Sequence, residues 1–359
     1  MRCPTGVYEK APSKSKEFQM QRITIIGLGL IGSSIGMALR DARKRDVELI
    51  GYDADSKVQD AAKKMGAVDQ TEWNLDNAVS GSDIVVVATP ASAIPDVFEA
   101  ISPYLKDGAT VTDTASTKRA VLDWAVELLP RHVGFVGGNP LTGAGLNGQR
   151  DASEMLFHGE RYAIVSAPTT HQSSVANVVS LVEDLGAKPF FLDRDEHDSF
   201  MAAVSGLPTV LSAALMSATA QSPSWGEISR FVGMDFNAMT GPSGNDPALN
   251  HSMCVTNPDM LTHWVDQLIV ELQGIRSAII DEQGRDDMSG PLADTFVRAW
   301  EARKRMEAGV EPSREMTREP LPSAGEGLLS MFLGRRAARI FSNTEEKKDP
   351  NEYDRRKMG

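Results

Sequence analysis

Three glycines at the end of a β-branched run have the spacing of an anion site: Ile23-Thr24-Ile25-Ile26-Gly27-Leu28-Gly29-Leu30-Ile31-Gly32. The order of strand, glycine turn and helix is what a dinucleotide pyrophosphate needs. Gly27 permits the tight turn, and Gly29 lets backbone N–H groups approach the phosphates without a Cβ in the way. Gly32 lets the helix over residues 33–40 pack close to the strand, its positive N-terminal end facing the anion. Leu30 and Ile31 lie inside this turn and belong to the same cofactor-binding set. The run Glu48-Leu49-Ile50-Gly51-Tyr52-Asp53 reads as a second strand ending in a carboxylate, placed where the ribose hydroxyls of a dinucleotide lie. Asp53 and Asp55, with no arginine beside them, favour NAD over NADP. The alternatives are purely structural: a glycine turn without a nucleotide, and an Asp53 that caps a helix.

In an open parallel sheet, ligands bind beyond the carboxyl ends of the strands. The strands themselves follow from the sequence. Residues 83–88 are a fully apolar run, the pattern of a strand buried on both faces. Residues 109–113, 132–137, 161–166 and 189–192 read as further strands, with helices over 91–105, 116–129 and 171–185. Alternating strands and helices predict an α/β fold, a doubly wound Rossmann-type parallel sheet. The loops at its carboxyl edge then hold the candidate residues. Thr89 and Pro90 follow one strand and would lie beside the nicotinamide ribose. Ser116 follows the next, unless it serves only to cap its helix. Asn139 sits in a turn, Gly137-Gly138-Asn139-Pro140-Leu141-Thr142-Gly143, too glycine-rich to be a simple connector.

Past residue 192 the strand signals stop, and 197–219 and 258–280 have long helical periodicity, which predicts a second, all-α domain. The reading divides the chain into a disordered lead-in (1–21), an NAD-binding domain (22–192), a helical substrate and dimerisation domain (193–285), a C-terminal helix (286–309) and a mostly disordered tail (310–359). Residues 240–250 read as a loop, and 325–341 as a short amphipathic helix in the tail, docked on its own domain in preference to a membrane surface or a partner.

With a formal net charge of −12, the 359-residue chain is not expected to bind nucleic acid or an anionic membrane. Two cysteines, Cys3 and Cys254, predict no disulfide framework and no metal site, and a reducing cytoplasm is the simple compartment. Residues 1–20 lack the apolar core of a secretory signal, and no uninterrupted apolar run reaches the length of a membrane span. The expected partner is a small-molecule substrate.

Taken together, several segments resemble the prephenate/arogenate dehydrogenase family. They are GLGLIGSSIGMAL, GYDAD, Ala88-Thr89-Pro90, the loop Asp113…Ser116…Lys118, the Gly-Gly-x-Pro-x-x-Gly turn, and Leu156-Phe157-His158-Gly159 followed by Tyr162. To these add Asp195-x-His197-Asp198 and Ser205-x-Leu207-Pro208. The resemblance runs from about residue 23 to 281. It implies an NAD(P)-dependent oxidation of prephenate or arogenate coupled to loss of CO₂, in tyrosine biosynthesis, by a homodimer joined through the helical half. It also implies that Ser116 hydrogen-bonds the substrate hydroxyl.

The chain departs from the family at the reacting centre. Asn139 stands where the family has its catalytic histidine, and an amide can hydrogen-bond a hydroxyl but cannot act as a general base near neutral pH. The family's Ser-His-Leu-Pro-His is Ser205-Gly206-Leu207-Pro208-Thr209, and no arginine falls in 234–253, where the family binds the substrate carboxylate. Candidate bases are therefore His158, His197 and His251; candidate cations are Arg230, Arg161 and Lys118. Each histidine has a structural alternative: His158 on a strand edge, His197 capping its helix, His251 exposed in a polar loop. Three readings stay open. The first is a prephenate or arogenate dehydrogenase with relocated groups. The second is a related dehydrogenase acting on another hydroxy acid or cyclohexadienyl compound, and the third a non-catalytic NAD-binding paralogue.

Overall fold

The computed structural model describes residues 20–43, 47–142, 148–284 and 289–309. The tail 310–359 with its amphipathic segment, and all but the last residues of the lead-in, lie outside the described residues. The chain falls into two compact units, one ending at Val265 and the other beginning at Asp266.

The first unit opens with β1 (Gln21–Ile26), α1 (Leu30–Arg43), β2 (Val47–Tyr52), α2 (Ser56–Lys64), β3 (Gln70–Thr71), α3 (Leu75–Val79) and β4 (Ile84–Val87). It continues with α4 (Ile94–Ile101), β5 (Thr110–Asp113), α5 (Arg119–Leu128), β6 (Gly134–Pro140), β7 (Arg161–Val165), α6 (Gln172–Asp184) and β8 (Lys188–Phe191). The eight strands form one sheet in the order β3-β2-β1-β4-β5-β6-β7-β8. This is the expected Rossmann-type sheet, with one difference: β7 runs antiparallel to β6, Gly137 facing Val165 and Pro140 facing Tyr162. An alternation pattern marks a strand but carries no direction, so the reversal has no local signal.

The apolar run of β4 is explained by its two faces. Ile84 and Val86 enter a core with Ile23, Ile25, Ile35, Leu39, Leu181 and others under α1 and α6. Val85 and Val87 enter a second core with Phe98, Ile101, Val121 and Leu122 under α4 and α5. All four are fully buried, so the strand must be apolar at every position rather than alternate.

After β8 the chain is helical: α7 (Arg194–Met201), α8 (Leu207–Ala220), α9 (Trp225–Ile228), α10 (Met234–Thr240), α11 (Pro247–Thr256) and α12 (Pro258–Asp281). The helix expected over 197–219 is interrupted by a π-turn at Ala202–Gly206. Pro208 follows at once, and its missing N–H and ring are accommodated where the regular ladder is already broken. Part of the expected loop 240–250 is helical, because Asp246 caps α11, accepting from Ala248 N–H at 2.8 Å. The stretch Arg194–Ala220 is long and apolar enough, by length and composition alone, to cross a bilayer. It nevertheless carries the buried polar pair His197 and Asp198. In the second unit, α13 (Pro291–Glu307) starts where Leu292 N–H donates to Glu282 Oε1 at 2.9 Å.

Candidate active site

At the nucleotide end, Gly27 has φ 90° and donates its N–H to Tyr52 O at 2.8 Å. A Cβ there would stand 2.5 Å from Ala88 O, so the turn between β1 and α1, packed against the end of β4, requires glycine. A Cβ on Gly32 would overlap Gly27 O. Gly29 is different: it is exposed, with open space around its Cβ position. Leu30 and Ile31 begin α1, whose first turn carries no acidic residue to oppose an anion. Thr89 lies against Gly27, and its buried Oγ1 has no hydrogen-bond partner. Pro90 leads into a short 3₁₀ turn, Ala91–Ala93. Room at Gly29, an unopposed helix N-terminus and a buried hydroxyl lacking a partner together fit a bound dinucleotide.

Asp53 is not a helix cap; Asp55 caps α2, accepting from Lys57 N–H at 2.8 Å. Asp53 instead accepts from Leu28 N–H at 2.8 Å and Asp55 N–H at 2.9 Å, fastening the end of β2 to the glycine turn. Each carboxylate oxygen keeps a lone pair for a ribose hydroxyl.

The ends of β5 and β6 and the start of α7 are joined by a buried polar network. Lys118, fully buried, places its ammonium on Asp113 Oδ2 at 2.5 Å, Ala115 O at 2.9 Å and Thr117 O at 3.0 Å. Burial lowers its pKa, and Asp113 and Asp198 oppose that shift. Asp113 also accepts from Ala115 N–H at 2.9 Å and Gly138 N–H at 3.1 Å. The glycines of β6 make room for this arrangement: a Cβ on Gly137 would meet Lys118 Cδ at 2.8 Å, and one on Gly138 would meet Tyr162 Cε1 at 2.9 Å. The buried Tyr162 hydroxyl has no partner, and burial, with Asp113 adding to it, raises its pKa.

Asp198 reaches back from α7 to accept from the N–H groups of Lys118 at 2.6 Å and Arg119 at 2.9 Å. Its Oδ1 also takes His197 Nδ1 at 2.8 Å. His197 is fully buried, and its Nε2 lies 3.0 Å from Asn139 Nδ2. Burial lowers the His197 pKa; the hydrogen bond to Asp198 opposes this and the Lys118 charge adds to it. His197 does not cap α7, since Asp193 does, accepting from Asp195 N–H at 2.8 Å.

Ser116 does not cap α5 either; the cap position is Lys118. Its half-buried side chain lines a small cavity with Met201, Gly206, Met253, Asn257 and Leu261. Asn139 and His197 are thus joined in one hydrogen-bonded framework, and Ser116 lies between Ala115 and Thr117, whose carbonyls hold the Lys118 ammonium of that framework. His158 is not brought to it. It is exposed beside Gly186 and the far end of α1, at Ala38 and Asp41, roughly 15 Å of helix from the glycine turn. His251 is exposed on α11 rather than in a loop. Of the candidate cations, Lys118 is enclosed by its three oxygens, and Arg161 is exposed with its guanidinium 5.4 Å over the Phe190 ring. Arg230 is exposed in a 3₁₀ turn, Ser229–Phe231.

One residue of this region has no sequence signal. Gln149 Nε2 donates to Leu28 O at 2.8 Å and Val58 O at 2.9 Å, tying the segment after β6 to the glycine turn and to α2. A glutamine after a glycine in a polar stretch gives no hint that its two amide hydrogens meet carbonyls more than 90 residues away. Asp198, by contrast, could have been found from its place directly after His197.

Comparison with known proteins gives two family matches. Residues 35–190 match the prephenate dehydrogenase nucleotide-binding domain and residues 193–293 the prephenate dehydrogenase dimerization domain. The chain is 27% identical to the prephenate dehydrogenase of Bacillus subtilis over 266 residues, covering 74% of this chain and 71% of that protein. It is 29% identical to the cyclohexadienyl dehydrogenase of Zymomonas mobilis, covering 74% and 90%. Among solved structures, Synechocystis arogenate dehydrogenase superposes with a TM-score of 0.63 at 26% identity, covering 80% of this chain and 100% of that one. The fold is also that of the A. aeolicus prephenate dehydrogenase solved with hydroxyphenyl propionate and NAD+, with a TM-score of 0.71 at 21% identity, covering 81% and 100%.

Proposed function

Because this chain belongs to the prephenate dehydrogenase family, we propose that it oxidises a hydroxycyclohexadienyl carboxylate of the prephenate or arogenate type with loss of CO₂, as a step of tyrosine biosynthesis. The observation that carries this reading is the framework joining Asn139 and His197 at the strand ends, with Ser116 beside it, on the same sheet as the glycine turn. Bound NAD supplies the hydride acceptor. The residues that hold it are Gly27, Gly29, Leu30, Ile31 and Gly32 at the pyrophosphate, Asp53 at the ribose, and Thr89 with Pro90 at the nicotinamide end. The Asp53 and Asp55 carboxylates favour NAD over NADP, because a 2′-phosphate would meet like charge.

Ser116 Oγ holds the substrate hydroxyl from the cavity side. Asn139 meets the same hydroxyl, and His197 fixes the Asn139 amide. Residues 22–192 bind the cofactor, and 193–285 shape the substrate cavity and pair two copies into a homodimer. This chemistry belongs to the cytoplasm, where Cys254 stays a free thiol.

One observation favours a second reading. Among the described residues, no arginine or lysine lines the Ser116 cavity. A dehydrogenase acting on a different cyclohexadienyl compound, or on a hydroxy acid whose carboxylate is bound outside this cavity, fits that lining.

The deciding experiment follows NADH formation with prephenate, arogenate and a panel of hydroxy acids, each with NAD and with NADP. Turnover of prephenate or arogenate with NAD is expected. Turnover of only another hydroxy acid establishes the second reading. NAD binding without turnover of any substrate leaves a non-catalytic paralogue.

A further inference from the structure

With His197 neutral, the hydrogen bonds around Asn139 have one self-consistent direction. Asp198 Oδ1 is already an acceptor for Lys118 N–H, so His197 Nδ1 must donate to it. A neutral imidazole then has a bare lone pair at Nε2, and the Asn139 group facing it must be the NH₂. The amide oxygen is thereby turned the other way. Asn139 Oδ1 accepts no hydrogen bond from a described residue, and it is not among the buried side-chain atoms lacking a partner, so it is open to a ligand.

We propose that Asn139 Oδ1 is the acceptor for the substrate hydroxyl, that neutral His197 holds it in that orientation, and that no base removes the hydroxyl proton. The inference rests on the family reaction given above, whose balance allows it. The C–H bond at the hydroxyl-bearing ring carbon breaks, and its electron pair leaves with the hydrogen for NAD+, giving NADH. The bond from the ring to the departing carboxylate carbon breaks, and that pair completes the aromatic ring as CO₂ leaves. The substrate loses two electrons, and the O–H bond survives as the phenol. What the transition state needs at the hydroxyl is an acceptor for a strengthening O–H dipole, and a fixed amide oxygen supplies one.

The arrangement also defines how it fails. Protonated His197 would carry N–H at Nε2 and would require Asn139 to turn its oxygen inward. The substrate hydroxyl would then meet NH₂ instead of an acceptor. The charged and titratable groups around this pair are Asp198 on α7, Lys118 from the β5–α5 loop and Asp113 at the end of β5, with Tyr162 on β7 beside Gly138. Burial holds His197 neutral to lower pH than an ordinary histidine.

The test combines kinetics with spectroscopy on the full chain. The kcat is measured with NAD and prephenate or arogenate from about pH 5 to about pH 9 for the native chain, Asn139→Ala and Asn139→His. The ¹⁵N–¹H NMR spectra of the histidine side chains are recorded over the same range, with His197→Gln identifying the His197 signals. The native kcat should be flat through the usual histidine range near pH 6.5. The His197 signals should show the Nδ1–H neutral form throughout that range. Asn139→Ala should lose about 10- to 100-fold in kcat with KM for NAD unchanged. Asn139→His should introduce an acid limb near pH 6.5, because an imidazole touching the hydroxyl must be neutral to accept. An acid limb there in the native chain, full kcat in Asn139→Ala, or a charged or Nε2–H form of His197 at neutral pH overturns the proposal. If neither cyclohexadiene is turned over at any pH, the family reading fails for this chain. The NMR arm still judges the His197–Asn139 orientation by itself.

Discussion

A histidine with no solvent contact makes protonation and folding compete. In the folded chain the His197 pKa lies below its ordinary value, chiefly through burial. The unfolded chain takes up its proton first as pH falls through about 6.5, so the unfolded state binds more protons and stability declines with falling pH. Above that pH the stability is fully present. Below it, the loss approaches about 1.4 kcal/mol per pH unit until the folded pKa is reached. Urea unfolding at about pH 7 and about pH 5.5 checks this. His197→Gln should lose less stability than the native chain between the two conditions. Equal losses would mean that His197 titrates alike in both states. The residue types involved were visible in the sequence, but their meeting was not. Asn139 and His197 are 58 residues apart, on a strand and a helix. Neither residue type nor spacing could distinguish a base from a group that orients an amide.

Among the elements, the sequence was most informative where burial leaves one choice. The apolar run of β4 reads as a central strand and the glycines after β1 as a tight turn into a helix, and the strand and the turn occur where expected. It was least informative between residues 56 and 79, where α2, α3 and the two-residue β3 are short and mostly polar. The hydrophobic period there covers too few turns to be read. It also missed the ties from the β6–β7 connection to the cofactor turn and α1, the Gln149 amide and the Ser153 N–H on Ser34 Oγ among them. Gln149→Leu keeps the bulk and leaves two carbonyls without those donors. The expected outcome is a loss of about 1–3 kcal/mol in stability and a several-fold weaker NAD affinity, with kcat little changed. Denaturant midpoints and NAD titration by protein fluorescence measure both. A kcat that falls while NAD affinity holds would place Gln149 with the reacting groups instead.

For the whole molecule, the homodimer proposed above makes a demand on the surface. Phe231 and Met234 are 87% and 88% exposed, far more than large apolar side chains of a lone subunit usually are, and they flank the start of α10. The double substitution Phe231→Glu, Met234→Glu should weaken self-association by about tenfold or more, by placing like charges at a desolvated contact. Sedimentation across a concentration series reads this directly, and an unchanged dimer would move the interface to another surface.

The grip of Asp198 on the first N–H groups of α5 has a consequence for how such a chain can be cut and recombined. The family matches meet between residues 190 and 193, which invites treating that seam as a join between exchangeable modules. Here one carboxylate beyond the seam is bonded to two backbone groups 79 and 80 positions before it, and His197 leans on the same carboxylate. A chimera that exchanged everything past the seam would inherit a working cofactor half only if the donor brought an acidic residue to that one point. Without it, the backbone N–H groups of Lys118 and Arg119 and the His197 ring would lose their acceptor together. The unit of inheritance for this site is therefore the pair of segments around 113–118 and 193–198, which have to change in concert.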